Sequence, residues 1–227
     1  MKTIAFKLIV VLFLLSVLSS FSYGDSLESI ISNIQQSYNA VRDFKAHFVQ
    51  ESSVKSWDSA QVQKAEGMVY FKKEGKMHWD YQKPTPQQII SDRKKLWFYE
   101  PEDNQVTISE VGAGLQSQIS ADLLNGKANL KRDFLVKLIT SNEEEGKGRL
   151  VLELTPRVTQ SNLNRVILKV DKKTFQICQT EVYDLFDNLT RITFSQMKVN
   201  TNLPDSLFVF VPAPGVEVLT PPKISLP

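Results

Sequence analysis

Apolar side chains at Leu27, Ile30, Ile31, Ile34, Tyr38 and Val41 recur at spacings of three and four. That spacing gathers them on one stripe of an α-helix. Ser26 stands at the N-cap position, with Ser29 where a capping box prefers Glu. A stripe of this kind needs an apolar surface to cover. Beyond the helix the pattern shortens to runs that suit strands: KAHFVQESSVK, EGMVYFKKEG, MHWDY, QQIISD, KKLWFYE and QVTISEV. Gly75 ends the second run, and Pro84, Thr85 and Pro86 close the third. Short runs with short spacers are what an antiparallel meander needs.

The rhythm breaks between Gly112 and Asn142. Ile119, Leu123 and Leu124 fit a short helix stopped by Gly126, and Phe134, Leu135, Leu138 and Ile139 fit a second. Asn142 to Gly148 reads as a charged, exposed turn. Strands return in RLVLELTP, where Leu150, Leu152 and Leu154 share one face. Asn164 to Val170 and Gln176 to Tyr183 flank a hairpin connection, DKKT. LTRITFSQMKV follows, and DSLFVFVPAPGVEVL reads as a last strand stopped by Pro212 and Pro214. The chain is mainly β, with about eleven strands and about three helices, and no repeat or linker divides it. A sheet this long must twist and curl. The expected architecture is an incomplete, strongly curved antiparallel β-barrel, its concave side covered by helices and enclosing an apolar interior.

The N-terminus changes the compartment. Lys2 and Lys7 are the only charges in residues 1–24, and IVVLFLLSVL follows them. Ser22 and Gly24 supply small residues at −3 and −1 of a cut before Asp25, the pattern of a Sec signal peptide. Ten apolar residues fall short of the roughly 20 that span a bilayer. The expected mature chain is 25–227, a single domain in the periplasm. No cysteine follows the cut, so the mature start cannot be acylated. Loss of Lys2 and Lys7 from 27 basic residues balances the 25 acidic ones. A neutral chain argues against nucleic acid and against tight binding to anionic lipid.

Catalytic chemistry is hard to assemble. His47 and His78 lie on separate expected strands, and no HExxH, GxSxG, GxxxxGK[ST] or GxGxxG pattern occurs. Cys178, the single cysteine, falls in FQICQTEVY and reads as a packing residue rather than a nucleophile. NLT at Asn188 matches a glycosylation acceptor by chance. No enzyme, metal or cofactor is expected. Binding remains: an apolar concavity with few polar groups suits lipid-like cargo. A six-residue strand spans roughly 20 Å, near the length of an extended C16 chain.

The run EGMVYFKKEGKMHWDYQKPTPQQIISDRKKLWFYEPEDNQVTI, Glu66 to Ile108, resembles the LolA family of periplasmic outer-membrane lipoprotein carriers. The features that carry the likeness are Gly67, Met77 two before Trp79, Pro84, Ser91 with Asp92, Leu96 to Tyr99, and Pro101. LELTP and FVFVPAPGVEV are weaker echoes. The resemblance implies eleven strands, three helices and an interior that accepts the acyl chains of lipoproteins. It implies an inner-membrane ABC transporter as donor and an outer-membrane receptor lipoprotein as acceptor, with the carrier itself a non-catalytic monomer. The family's Arg-Pro pair after the second strand is Lys73-Glu74 here. Lys73 is therefore the candidate latch to helix backbone, without arginine's planar fork. Candidate cavity and mouth residues are Met77, Trp79, Tyr81, Leu96 and Phe98. Period two places Met77, Trp79 and Tyr81 on one face and splits Leu96 and Phe98 from Trp97 and Tyr99. Leu115 to Ile139 is the expected lid. Two other readings stay open: a carrier of another envelope lipid or glycolipid, and a non-catalytic protein-binding or sensor module of the same fold.

Overall fold

The computed structural model describes residues 26–55, 61–110, 129–160 and 162–220. The expected signal segment, its cut before Asp25, the helix at Ile119, Leu123 and Leu124, and the final tail lie outside the described residues. So does the expected lid up to residue 128.

Helix α1 runs Leu27–Ala40, and Ser26 caps it: its Oγ accepts from the Ser29 N–H at 3.2 Å. The stripe buries Ile30, Ile31, Ile34 and Tyr38. Twelve strands among the described residues follow. β1 is Asp43–Val54, β2 Gln61–Lys72, β3 Lys76–Lys83, β4 Gln87–Ser91, β5 Lys95–Glu100 and β6 Gln105–Glu110. β7 is Phe134–Leu138, β8 Arg149–Pro156, β9 Arg165–Asp171, β10 Ile177–Tyr183, β11 Leu189–Val199 and β12 Glu217–Leu219. They form one sheet in the order β12-β6-β5-β4-β3-β2-β1-β11-β10-β9-β8-β7. Two meanders thus meet where β1 pairs with β11. β12 joins β6 in parallel, and every other pairing is antiparallel. Among the described residues β7 and β12 are the free edges, so the barrel is incomplete.

Two expectations are corrected. Phe134, Leu135, Leu138 and Ile139 do not make a helix. A four-residue helix, α2, Leu130–Asp133, hands directly into β7. Pairing with β8 wins because Phe134 and Val136 then turn inward beside Pro156 and Leu154, which a helix of that length could not match. The second correction is DSLFVFVPAPGVEVL, which is not one strand. Its start is a 3-10 turn, Asp205–Phe208, and only Glu217–Leu219 joins the sheet. Pro204, Pro212 and Pro214 lack the N–H that a ladder requires. The acidic stretch after Ser141 forms a five-residue helix, α3, Asn142–Gly146, with no buried residue.

The sheet packs both ways. The concave face carries Phe44, Phe48, Val69, Phe71 and Trp79, continued by Leu150, Leu152, Leu154, Val166, Leu168 and Ile192, in one core shared with α1. Behind β4–β6, Ile90, Trp97 and Val106 form a second core, covered by Phe210 and Val216 of the C-terminal strap. Lys72 and Lys76 reach Asp205 of that strap at 2.5 and 3.1 Å. The His78 ring bonds through Nδ1 to the Leu207 carbonyl at 2.9 Å.

Candidate functional site

Helix α1 sits toward one end of the concave face. Three bonds tie its last turn to two connections of the sheet, β9–β10 and β2–β3. Tyr38 Oη accepts the Ile177 N–H at 3.0 Å, and Ser37 Oγ donates to the Thr174 carbonyl at 3.2 Å. Burial pushes the Tyr38 phenol well above its usual range, so it stays a neutral hydrogen-bonding group. The third tie is Lys73, whose Nζ donates to the Asn39 carbonyl at 2.6 Å. That carbonyl lies in the helix's last turn, where the backbone dipole favours a cation. Glu74 and Gly75 beside it have φ of 73° and 88°, a tight turn that presents Lys73 to the helix end.

At the other end of the concave face a cavity of about 350 Å³ opens to solvent. Tyr81, Ile89, Val182, Leu189 and Ile192 give it apolar walls, and Gln50, Ser52, Asp184, Asn188 and Thr190 give it polar groups. Tyr81 Oη donates to Gln50 Oε1 at 2.9 Å across the β1–β3 wall. Burial lifts the Tyr81 phenol to about 12. It remains protonated at any physiological pH, so this wall carries no charge from Tyr81.

Between helix and cavity lies an aromatic layer. Trp79 is 1% exposed. Phe48, Phe71, Tyr81 and Phe194 surround it, with ring centroids at 4.9, 5.9, 6.4 and 6.4 Å. Phe48 also meets Tyr81 edge-on at 4.9 Å. Gly67 makes this layer possible. A Cβ there would stand 1.9 Å from the Asp80 carbonyl oxygen, so only glycine lets β2 and β3 approach opposite Phe48.

Of the residues singled out in the sequence, Met77, Trp79, Tyr81, Leu96 and Phe98 share this concave side: four are buried in the main core, and Phe98 packs against it. Tyr81 alone among them lines the cavity. Met77 pairs across to Phe71 and Ser91, away from the opening. Trp97 and Tyr99 face the strap instead, with Tyr99 4.7 Å from Phe210. The cavity's other wall, Val182, Leu189 and Ile192 of β10 and β11, escaped sequence reasoning. Its signal was present: Thr190, Ile192 and Phe194 alternate with Arg191, Thr193 and Ser195.

Among the described residues no group of His, Cys, Asp and Glu could hold a metal ion, and no helix is long and apolar enough to cross a membrane. Cys178 donates Sγ–H to the Lys169 carbonyl at 3.2 Å, and burial raises its pKa, the opposite of an activated thiol. Among the described residues the class is that of an open half-barrel with an apolar interior, covered at one end by a helix and open at the other.

The model of the family described as outer membrane lipoprotein carrier protein LolA matches residues 39–211. This chain belongs to that family. The outer-membrane lipoprotein carrier protein of Dechloromonas aromatica is 30% identical over 206 residues, covering 91% of each chain. That of Nitrosomonas europaea is 32% identical over 192 residues, 84% of this chain and 89% of its own. Among solved structures, an uncharacterized conserved protein from Thermus thermophilus superposes with a TM-score of 0.54 at 14% identity, over 86% of this chain and 98% of that one; the likeness is one of fold.

Proposed function

We propose that this protein carries acylated lipoproteins across the periplasm. It accepts them as an inner-membrane ABC transporter releases them, encloses their acyl chains, and gives them up at the outer membrane. It is a carrier, not an enzyme. The observation that carries this reading is the continuity of the interior: an apolar core lies under α1 at one end and beside an open cavity at the other. Membership of the carrier family supports the same reading.

The volume says how loading must proceed. Ligand pockets run from about 300 to 1,000 Å³, so 350 Å³ is at the small end. Cargo bearing two or three long acyl chains needs more room, and α1 is the element whose apolar stripe such chains can replace. Lys73 acts as the latch that α1 must release. The signal segment is removed before Asp25, and residues 25–227 act as one domain.

The test is a titration with one lipoprotein in acylated and non-acylated forms, at low and high salt. Each buried methylene contributes about 0.8 kcal/mol, so loss of contact with only four weakens binding by roughly 3 kcal/mol, more than a hundredfold. The acylated form should bind at least a hundredfold tighter at both salt concentrations. Equal binding of the two forms would refute the reading.

A further inference from the structure

The turn between β10 and β11, Asp184 to Asn188, is held more firmly than a connection requires. Asp184 Oδ1 accepts the backbone N–H groups of Phe186 and Asn188 at 2.8 and 2.9 Å. Its Oδ2 accepts Asn188 Nδ2–H at 2.7 Å. Asn188 Oδ1 in turn accepts the Lys55 N–H at 3.0 Å, fastening the turn to the end of β1. On this frame two adjacent apolar side chains point outward: Leu185 is 51% exposed and Phe186 79%. Val54, 61% exposed, stands on the wall of the same cavity that Asp184 and Asn188 line.

We infer that Phe186 and Leu185 form a knob that dips into the surface of a lipid bilayer and sets the cavity mouth against it. The area decides against a protein partner for the knob alone. An aromatic side chain buries about 150–250 Å², so the pair covers a fraction of the roughly 1,200 Å² that a stable protein interface needs. Two rigidly presented apolar side chains do suit a shallow, reversible insertion between lipid headgroups. The collar is nearly neutral: Asp187 pairs with Lys55 at 3.1 Å and with Arg165 at 3.5 Å. Contact is therefore driven by apolar area, not by attraction to anionic lipid. This inference rests on the carrier reading only for its purpose, which is to let an acyl chain pass between bilayer and cavity with little exposure to water.

The experiment uses the empty protein, with no lipoprotein present, so its outcome is independent of cargo binding. Sedimentation with phosphatidylcholine vesicles should show weak, salt-insensitive binding, and Phe186→Ser should weaken it at least about tenfold, the factor that follows from exposing one large apolar side chain. Val211→Ser, at an equally exposed position on the C-terminal strap, should leave it unchanged. In Phe186→Trp the added indole emission should shift to the blue when vesicles are present. No binding by the parent protein, equal binding by Phe186→Ser, or an unshifted Phe186→Trp would overturn the inference. So would binding confined to vesicles containing phosphatidylglycerol, or a self-association abolished by Phe186→Ser, which would assign the knob to a second copy of the chain.

Discussion

Removing the Lys73 side chain should loosen α1 without unfolding the sheet. The Lys73 ammonium donates to Asn39 O at 2.6 Å, in the last turn of a helix otherwise fixed by buried Ile30, Ile31, Ile34 and Tyr38. A hydrogen bond from a charged group contributes about 1.5–3 kcal/mol when well shielded. Lys73 is exposed, and holding its long side chain in place costs entropy. The relevant scale is the cation at a helix C-terminus, about 0.3–1 kcal/mol. Lys73→Ala should then raise the open population of α1 by roughly two- to fivefold. The backbone bond from Lys73 N–H to the Arg42 carbonyl, at 2.7 Å, survives the substitution and keeps the turn in place. Hydrogen exchange read by mass spectrometry on peptides from Leu27–Ala40 measures the effect, with β8 and β9 as the internal reference. Lys73→Arg should protect α1 at least as well as lysine, because its planar fork can engage more than one carbonyl. An unchanged α1 rate in Lys73→Ala would refute the latch. Equal acceleration in β8 and β9 would show a global loss of stability instead.

Gly67→Ala should lower the melting temperature by at least about 2–4 °C, since the added methyl meets Asp80 O at 1.9 Å and overpacking of this kind costs about 1–3 kcal/mol or more; an unchanged melting curve would show that β2 and β3 separate freely. His78 is held below its ordinary pKa of 6.5, mainly by burial, which Asp80 and the Leu207 carbonyl oppose. The unfolded chain therefore takes up the proton first, so stability should fall as pH drops below about 6.5, and denaturant midpoints for His78→Gln should show a shallower slope in that window than the parent protein.

Alternation along β3 and β5 was enough to put Met77, Trp79 and Tyr81 on one face and to separate Leu96 from Trp97, because the period of a strand leaves no other choice. The same rule could not say what covers each face. Trp97 and Tyr99 lie under a strap drawn from residues more than a hundred positions later in the chain, and nothing local to KKLWFYE announces that partner. β7 failed for a related reason. FLVKL is short enough to fit either period, and its identity is decided by β8, which offers Leu154 and Pro156 as partners. The location of the cavity was illegible in β3 alone, since Met77 and Tyr81 share a face and differ only in which end of the barrel α1 occupies. That choice is made by the bonds of Tyr38 and Lys73, contacts between residues far apart in the chain.

The way α1 covers the core also bears on how a carrier both holds and releases. Four apolar side chains of α1 are buried, Ile30, Ile31, Ile34 and Tyr38. At about 1.5–3 kcal/mol each, the stripe contributes on the order of 6–12 kcal/mol before the entropy of ordering the helix is counted. One acyl chain of sixteen carbons, at about 0.8 kcal/mol per methylene, contributes on the order of 12 kcal/mol when fully covered. If acyl chains take the place of α1, as proposed, helix and first chain are of similar strength as occupants of the same apolar surface. Such an exchange would be close to balanced, whereas burial of acyl chains in a permanently open cavity of the same quality would leave the full gain to be overcome at delivery. A helix that competes with its own cargo lowers the affinity by the amount of its own burial. On the cavity wall Tyr81 and Gln50 add no charge, and the Asp184 carboxylate is engaged by three N–H donors of its own turn.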